Sequence, residues 1–541
     1  MKNTVLERVI DDWLTKTTER AFQAPFCQML AARGETIVHS TRHSAMELGK
    51  DIISIAPGGK VHAYQLKTAP RGRLSLREWR AGLQQQAFDL VTSAVRHPSI
   101  TSKRHHRSFF VINGEIDEEV AEDISRQNEA WARNQLPAYR LETIVRGELA
   151  GMATKLQAAF WPEELADVNA LLELYLDSGR GQLPKEKVAR LLEATTLAEA
   201  TVPRGNAECL RQLSSAGVLC ALSMTRFSHA ENHLAEIEGW SCYLAVVMGA
   251  ALKYKLPERP WRSSVDLAST IVAGLLEDLV RDVEAHPKMV VGNPLSDHPM
   301  RAVRLTHLVA MFSALWLWRR SLTLPVEALD EFIREFCTAH RTELFLWGEA
   351  AAPQLLAAYW GLRSMAPQVR PDEMVLAHMD WIIRVNGRNG PGRLLSPYYN
   401  AEEAYGRLFG FEEEGLVESF RCRSHSLESF LAIVTRENLK QAVRLRWRDI
   451  SHIMFAHFQT AKPWQEALWR NAKRGKLVLR MPKERQSWNE LRQLYDFTEK
   501  SAVARLVIQF PIQWLLVLMV YPHRLRAATT VALDRAIMHS G

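Results

Sequence analysis

The sequence predicts an α/β domain of about 155 residues followed by a much larger all-α region. Strand and helix signals alternate over the first part, as expected for a mixed sheet flanked by helices. After residue 160 strand signals nearly vanish, and amphipathic helices rich in Leu, Ala, Trp, Glu and Arg remain. The 541 residues are 47% hydrophobic and 24% charged, which excludes a disordered or low-complexity protein.

Turn and cap residues divide the α/β part into its elements. The first helical pattern ends at Gly34, a C-cap residue, and Pro57-Gly58-Gly59 joins two strands as a hairpin. The elements expected in chain order are a helix over 5–33, strands over 36–40, 51–56 and 61–68, a helix over 76–96, a strand over 108–113, a helix over 117–131, a strand over 139–145 and a helix over 148–160.

The helical region is interrupted by Pro- and Gly-rich breaks. The segment NGRNGPGRLLSP, at 386–397, is the strongest candidate for a linker or functional loop. The organisation expected is an α/β domain over 1–158, a helical connector over 159–205, and helical domains over 206–385 and 398–541.

Positive charge is concentrated near the C-terminus. The chain has a net charge of +7, whereas 436–485 alone holds 13 Lys or Arg against four Asp or Glu, a net of +9. Tryptophans interleave with these cations, and this mixture suits phosphate contact with base stacking. A solvated helical face with Trp in the core is an equally good reading. If the stretch does bind nucleic acid, the contacts expected are Lys473, Arg474 and Lys476.

Cysteine usage and hydropathy favour a cytoplasmic protein without a membrane segment. The six cysteines form no CxxC pair, so neither a disulfide framework nor a zinc site is indicated. The N-terminus has no apolar signal-peptide core. The most apolar segment, 506–521, is too short and too polar for a spanning helix and reads as a core helix.

Three residues at the predicted hairpin form the candidate chemical site. Asp51 opens one strand, while Gln65 and Lys67 lie two apart on the next and therefore point to the same face. A short turn brings all three together at one strand end. Carboxylate and amide oxygens suit Mg²⁺, and a lysine beside them can stabilise charge on a phosphate. By itself the pattern is loose, and a strand cap plus a surface lysine is the competing reading.

The surroundings of these residues resemble the Mrr-type restriction endonuclease domain of the PD-(D/E)xK nuclease superfamily. The resemblance covers about the first 155 residues, and its strength lies in the order and spacing of several weak motifs. These are Phe22-Gln23-Ala24-Pro25-Phe26 followed by Gly34, Glu47-Leu48-Gly49-Lys50-Asp51, Gln65-Leu66-Lys67, the strand and helix near 109–128, and Ile144-Val145-Arg146-Gly147-Glu148-Leu149.

The resemblance implies a restriction-endonuclease-like fold and Mg²⁺- or Mn²⁺-dependent DNA hydrolysis. Asp51, Gln65 and the carbonyl of Leu66 are the implied metal ligands, and Lys67 is implied to orient the attacking water. The family's first-helix Glu falls on Gln23 here; Glu19, one helical turn earlier, or Glu47 is expected to substitute for it. Four arginines that follow the site are candidates for phosphate contact: Arg71, Arg73, Arg77 and Arg80.

Two functions from different classes are therefore open. The first is a DNA endonuclease, similar in layout to bacterial anti-phage effectors, acting as a homo-oligomer or with a partner protein of its defence operon. The second is a catalytically inactive DNA-binding or assembly subunit. Alanine at Asp51 or Lys67 is expected to abolish cleavage and to leave folding largely intact, because both side chains should lie at a sheet edge in a cleft.

Overall fold

The computed structural model forms two compact units, one of residues 1–251 with 255–274 and one of residues 252–254 with 275–541. The domain boundaries expected from the sequence stay predictions. The structure describes residues 2–40, 50–69, 71–95, 100, 105–134, 136, 138–160, 164–197, 205–292, 298–392, 394–399, 421–469, 475–496 and 501–538.

The first unit begins with the α/β elements and continues with long helices. Its strands are β1 (Thr36–Ser40), β2 (Ile52–Ile55), β3 (Val61–Lys67), β4 (Arg73–Leu74), β5 (Arg107–Ile112), β6 (Glu115–Ile116) and β7 (Leu141–Ile144). Its helices are α1 (Lys2–Lys16), α2 (Glu19–Ala32), α3 (Leu76–Glu78), α4 (Gln84–Thr92), α5 (Glu118–Arg133), α6 (Arg146–Phe160), α7 (Leu165–Leu176), α8 (Lys185–Leu197), α9 (Asn206–His229), α10 (His233–Tyr254) and the first part of α11 (Glu258–Ala285).

Five strands form one mixed sheet in the order β1-β2-β3-β5-β7. β1, β2 and β3 are antiparallel neighbours, whereas β5 is parallel to β3 and β7 is parallel to β5. The turn between β2 and β3 uses Gly58 and Gly59 at positive φ (102° and 79°), a conformation that glycine adopts without steric cost. The mixed sheet expected for the first part of the chain is confirmed, with each strand within two residues of its predicted position.

Two helices depart from the expected pattern. The helix predicted over 5–33 is two helices, because Thr18 caps the start of α2 by accepting a hydrogen bond from the Ala21 N–H. The helix predicted over 76–96 contains a π-helical turn, Trp79–Leu83, where Gly82 adopts a φ of 148°.

Both faces of the sheet are covered. On one face Ala63 and Phe110 pack with Trp79 and Leu90 from the segment between β4 and β5. On the other, the Tyr64 ring lies 5.4 Å from that of Phe26 on α2. Burial on both faces fixes the strand register, since a slip of one residue would exchange the two sets of side chains.

The second unit is mainly helical. Where Gly361 of α15 (Ala352–Met365) meets α13 (His298–Ser321), an added Cβ would lie 2.3 Å from the Ser313 Cβ, so only glycine permits this approach. After the last part of α11, the helices are α12 (Pro287–Val291), α13 (His298–Ser321), α14 (Ala328–His340), α15 (Ala352–Met365), α16 (Pro371–Asn386), α17 (Leu427–Arg436), α18 (Lys440–Ile450), α19 (Trp488–Asp496), α20 (Ala502–Gln509), α21 (Pro511–Val520) and α22 (Ala527–Met538).

The second unit also contains a small sheet, which corrects the expectation of an all-α region. Strands β8 (Arg423–Ser424), β9 (Met454–Thr460) and β10 (Gly475–Arg480) pair in the order β10-β9-β8. β9 and β10 lie within the basic stretch 436–485. β10 is half-exposed, and its three apolar residues, Leu477, Val478 and Leu479, are flanked by the cations Lys476 and Arg480, so it does not show the alternation of a half-buried strand.

The structure describes all six cysteines and the most apolar segment, 506–521, which belongs to two helices rather than to the single core helix expected from the sequence. All six cysteines are free thiols, and five are buried. Among the described residues no single helix has the length and hydropathy to cross a membrane. The pair α20 and α21, which is bent by 108°, meets those criteria only when the two helices are taken together.

Candidate active site

Asp51 lies directly before β2 and is bound to the end of β3. Its backbone N–H donates to the Tyr64 carbonyl (2.9 Å), and its Oδ2 accepts from the Leu66 N–H (2.6 Å). The residue is 7% exposed. Its carboxylate is therefore fixed against the backbone between Gln65 and Lys67, the two residues with which the sequence grouped it.

Gln65 is buried on β3 with one half of its amide unsatisfied. Its Nε2 donates to Gln86 Oε1 on α4 (3.0 Å), while its Oε1 is buried without a hydrogen-bond partner among the described residues. An unsatisfied buried acceptor costs about 1–3 kcal/mol. The amide oxygen is thus positioned to accept a hydrogen bond or to coordinate a cation.

Lys67 closes β3 and is paired with the first residue of α2. Its Nζ lies 3.2 Å from Glu19 Oε2, and Glu19 Oε1 accepts from the Thr68 N–H (3.3 Å). Both side chains are largely buried. A carboxylate in the first turn of a helix is stabilised by the helix dipole. Glu19 therefore orients the ammonium, which is a different contact from the metal ligation expected for it.

Gln23 holds the segment around Asp51 in place. Its Nε2 lies 3.3 Å from the Asp51 carbonyl oxygen and 3.1 Å from Ser40 Oγ. Gln23 thus contacts the backbone of the candidate metal ligand rather than supplying a ligand of its own. Glu47, the other proposed substitute, lies outside the described residues.

Asn113 was missed as a site residue by sequence reasoning. It follows β5 and is buried; its Oδ1 accepts from the Ala69 N–H (2.8 Å), and its Nδ2 donates to the Leu14 carbonyl (2.9 Å). The side chain therefore ties the segment after Lys67 to helix α1. A buried amide at the end of a strand next to the site strand was the available signal.

Lys50 was also missed, although it lies within a motif the sequence singled out. It is 3% exposed. Burial lowers the pKa of its ammonium from 10.5 to about 8, and the nearby Asp89 carboxylate opposes that change. A second ammonium therefore adjoins Asp51 along the chain.

A polar cluster on the opposite face of the sheet supports β2 and β3. Glu35 Oε2 accepts from Ser54 Oγ (2.5 Å) and Tyr64 Oη (2.8 Å), and lies 3.2 Å from His62 Nδ1. Burial raises the pKa of Glu35, but the hydrogen bonds from His62, Ser54 and Tyr64 outweigh burial and lower it. The cluster is closed to solvent and serves to fix the strands.

The four arginines proposed for phosphate contact are all exposed, around β4 and the π-helical turn. Arg73 Nε lies 3.4 Å from Asp117 Oδ1. A solvent-exposed ion pair of this kind contributes little to folding stability. The other three are Arg71, Arg77 and Arg80. Their exposure is compatible with contact to a polyanion and equally with a solvated surface.

The basic stretch of the second unit is partly neutralised by its own fold. Arg436 pairs with Asp534 (2.6 Å), Arg446 pairs with Asp380 (2.6 Å), and Arg480 pairs with Glu428. Lys476 on β10 is exposed, whereas its predicted companions Lys473 and Arg474 lie outside the described residues.

The candidate site contains few charged side chains that could coordinate a metal ion. Within the described ranges no group of three or more His, Cys, Asp and Glu side chains is close enough to hold a metal ion. Asp51 supplies a carboxylate and Gln65 an unsatisfied amide oxygen, while Glu19 is bound to Lys67. Mg²⁺ commonly uses one or two carboxylates and keeps several waters. A Mg²⁺ or Mn²⁺ ion held by these two oxygens would have to be completed by water and substrate oxygens.

In comparisons with known proteins, no family model matches this chain, and no curated protein or solved structure matches it significantly.

Proposed function

We propose that this chain is a metal-dependent DNA endonuclease that hydrolyses phosphodiester bonds at the Asp51, Gln65 and Lys67 site. The observation that carries the proposal is the buried, unsatisfied Oε1 of Gln65 at the strand end that also holds the Asp51 carboxylate and the Lys67 ammonium. These are the residues that the resemblance to the Mrr-type domain implies.

Asp51, Gln65 and the carbonyl of Leu66 would hold Mg²⁺ or Mn²⁺. When bound, such an ion supplies stabilisation of phosphate charge and a more acidic water. Lys67, oriented by Glu19 at 3.2 Å, would place its ammonium against a non-bridging phosphate oxygen or the attacking water. Gln23 and Asn113 hold the backbone on either side of these groups.

The wider biological role is part of the same proposal. A small nuclease part joined to a large helical region is the layout of anti-phage effectors, and this part rests on analogy. The substrate proposed is DNA, bound through its backbone by the exposed arginines after the site. A homo-oligomer or a partner protein of the same defence operon remains the expected assembly.

A catalytically inactive DNA-binding or assembly subunit is the second candidate. Two observations favour it: the Asp51 carboxylate already accepts the Leu66 N–H, and Glu19 is committed to Lys67. Both contacts are what a purely structural use of these residues would produce.

The alanine test expected from the sequence needs a change at Asp51. Because this buried carboxylate accepts a backbone hydrogen bond, alanine leaves the Leu66 N–H without that acceptor, at about 1–3 kcal/mol. Asp51→Asn retains an acceptor oxygen and removes the charge. Lys67→Met likewise retains the stem of the side chain and removes the ammonium.

The experiment compares cleavage of plasmid and linear DNA in Mg²⁺ or Mn²⁺ with direct Mn²⁺ binding. Each variant should lose at least about a hundredfold in rate. Asp51→Asn should keep its melting temperature, whereas Lys67→Met, which leaves Glu19 without its ammonium partner, should melt at a lower temperature but stay folded under assay conditions. Asp51→Asn should also lose Mn²⁺ binding, whereas Lys67→Met should keep it. Matched controls are Asp123→Asn, an aspartate that accepts from Trp79 Nε1, and Lys60→Met on the exposed hairpin turn.

Three outcomes separate the candidates. Cleavage by both variants at the wild-type rate refutes the assignment to this site. Wild-type protein that binds DNA but neither binds Mn²⁺ nor cuts supports the inactive subunit. Loss of cleavage in the control variants as well would show that the assay reports folding rather than chemistry.

A further inference from the structure

A cavity of about 570 Å³ lies in the first unit, away from the proposed nuclease site. It is bounded by the C-terminal end of α2, the β7–α6 junction and the start of α9. Its floor is apolar and includes two thioethers, those of Met29 and Met152, together with Ile144 and Leu156. Arg33 Nη1 lies 3.7 Å from Met152 Sδ, so a guanidinium borders the apolar floor.

The rim of the cavity is positively charged. Arg33, Lys155 and Arg211 are exposed cations at the end of α2, on α6 and on α9 respectively. Glu148 is the one acidic residue of the lining, and its Oε2 accepts from the Val145 N–H at the start of α6 (3.1 Å). Within the described part of the chain, none of the three cations forms an ion pair. An apolar pocket therefore opens beneath three cations contributed by three separate helices.

We propose that this cavity binds a nucleoside phosphate, with the base on the methionine-lined floor and the phosphates on the cationic rim. The volume lies within the usual range of roughly 300–1,000 Å³ for small-molecule sites, which are mostly apolar with a few charged groups that fix orientation. Thioether sulfur makes favourable contacts with aromatic rings. Arginine binds phosphate oxygens in a bidentate manner.

The distribution of charge favours phosphates over a single carboxylate. One carboxylate is saturated by one guanidinium, whereas a phosphate chain presents oxygens to cations on several sides. The site is also distinct from the nuclease site: Arg33 lies 14 residues after Glu19 at the far end of α2, about 21 Å along a helix. Binding here does not require the nuclease proposal to hold.

Gly151 provides a way to block the cavity without disturbing the fold. It lines the cavity on α6, and a Cβ built there meets no atom within 4 Å. A leucine at this position would therefore extend into open space. Replacing a helical glycine also removes a residue of poor helix propensity, so Gly151→Leu should fold at least as well as wild type.

The experiment is calorimetric titration of the full chain with ADP, GDP, CDP and UDP. Adenosine and inorganic phosphate are titrated as the separate fragments of a nucleotide, and decanoate is titrated as a competing class of ligand, a fatty anion. At least one nucleoside diphosphate should bind at least tenfold more tightly than adenosine or inorganic phosphate alone. Arg33→Gln, Arg211→Gln and Gly151→Leu should each weaken that binding at least tenfold with ligand-free melting unchanged. Lys60→Gln, on an exposed turn of the same unit, is the matched control and should not.

Contrary results are equally definite. Binding that Gly151→Leu leaves unchanged places the nucleotide outside this cavity. Binding of decanoate without binding of any diphosphate assigns the cavity to a fatty anion. The proposal is overturned if none of the four diphosphates binds at about 1 mM, since this concentration detects even weak ligands.

Discussion

Replacement of Lys50 by methionine should stabilise the first unit at neutral pH. Lys50 precedes Asp51 and is 3% exposed. Burial lowers the pKa of its ammonium from 10.5 to about 8, in spite of the nearby Asp89 carboxylate. Because one pH unit corresponds to about 1.4 kcal/mol, the charged lysine destabilises the folded state by about 3 kcal/mol. Methionine keeps the stem of the side chain and removes the charge.

The effect of Lys50 on the free energy of unfolding depends on pH in one direction. Below about pH 8 the lysine is protonated in both states, and the full penalty applies. Between pH 8 and 10.5 the unfolded chain binds more protons than the folded one, so wild-type stability rises with pH. Lys50→Met lacks this rise. The variant should exceed wild type by about 1–3 kcal/mol at pH 7, because methionine also forgoes the contact that the lysine makes, and the difference should shrink toward pH 10.

The assay is urea unfolding at pH 7, 8.5 and 10, followed by pulsed hydrogen exchange of peptides that cover Val61–Lys67. A local probe is needed because a chain with two compact units does not unfold as one two-state system. Lys60→Met, at an exposed position, should change stability little at any of these pH values. A destabilised Lys50→Met at pH 7, or a difference that does not change with pH, would refute the reasoning.

Two further predictions concern the metal site and the basic stretch. Gln65→Glu should tighten Mn²⁺ binding by at least tenfold in direct titration, because a carboxylate replaces an amide oxygen. The exposed Gln86 can rotate its amide and donate a hydrogen bond to the new carboxylate. Unchanged affinity would remove Gln65 from the set of metal ligands. If the second unit binds duplex DNA through Lys476, Lys476→Glu should lower the log–log salt slope by about 0.9 for each phosphate that is no longer neutralised, and an unchanged slope would assign this surface to another role.

The fold of the first unit could be largely predicted because its signals are local. Period-two apolar strands and the turn at Gly58 and Gly59 specify the β2–β3 hairpin without knowledge of distant residues. The break at Thr18 was missed because a capping threonine interrupts an amphipathic pattern only weakly. Strand β10 was missed because it is short, basic and half-exposed.

The candidate site was predictable only where strand geometry alone brings residues together. Gln65 and Lys67 share a strand, and the hairpin register places Asp51 opposite them. The contact between Lys67 and Glu19 joins residues 48 positions apart and depends on how α2 lies on the sheet. The burial of Lys50 likewise depends on tertiary packing, which no local pattern encodes.

The energetics of the site bear on the choice between an active nuclease and an inactive scaffold. Asp51 and Glu19 are explained by folding alone, since both accept backbone hydrogen bonds. Gln65 and Lys50 are not, because a buried unsatisfied amide oxygen and a buried ammonium each destabilise the fold by about 1–3 kcal/mol. A bound cation would give the Gln65 amide oxygen a partner, and this is the physical argument for the proposed nuclease over the inactive scaffold.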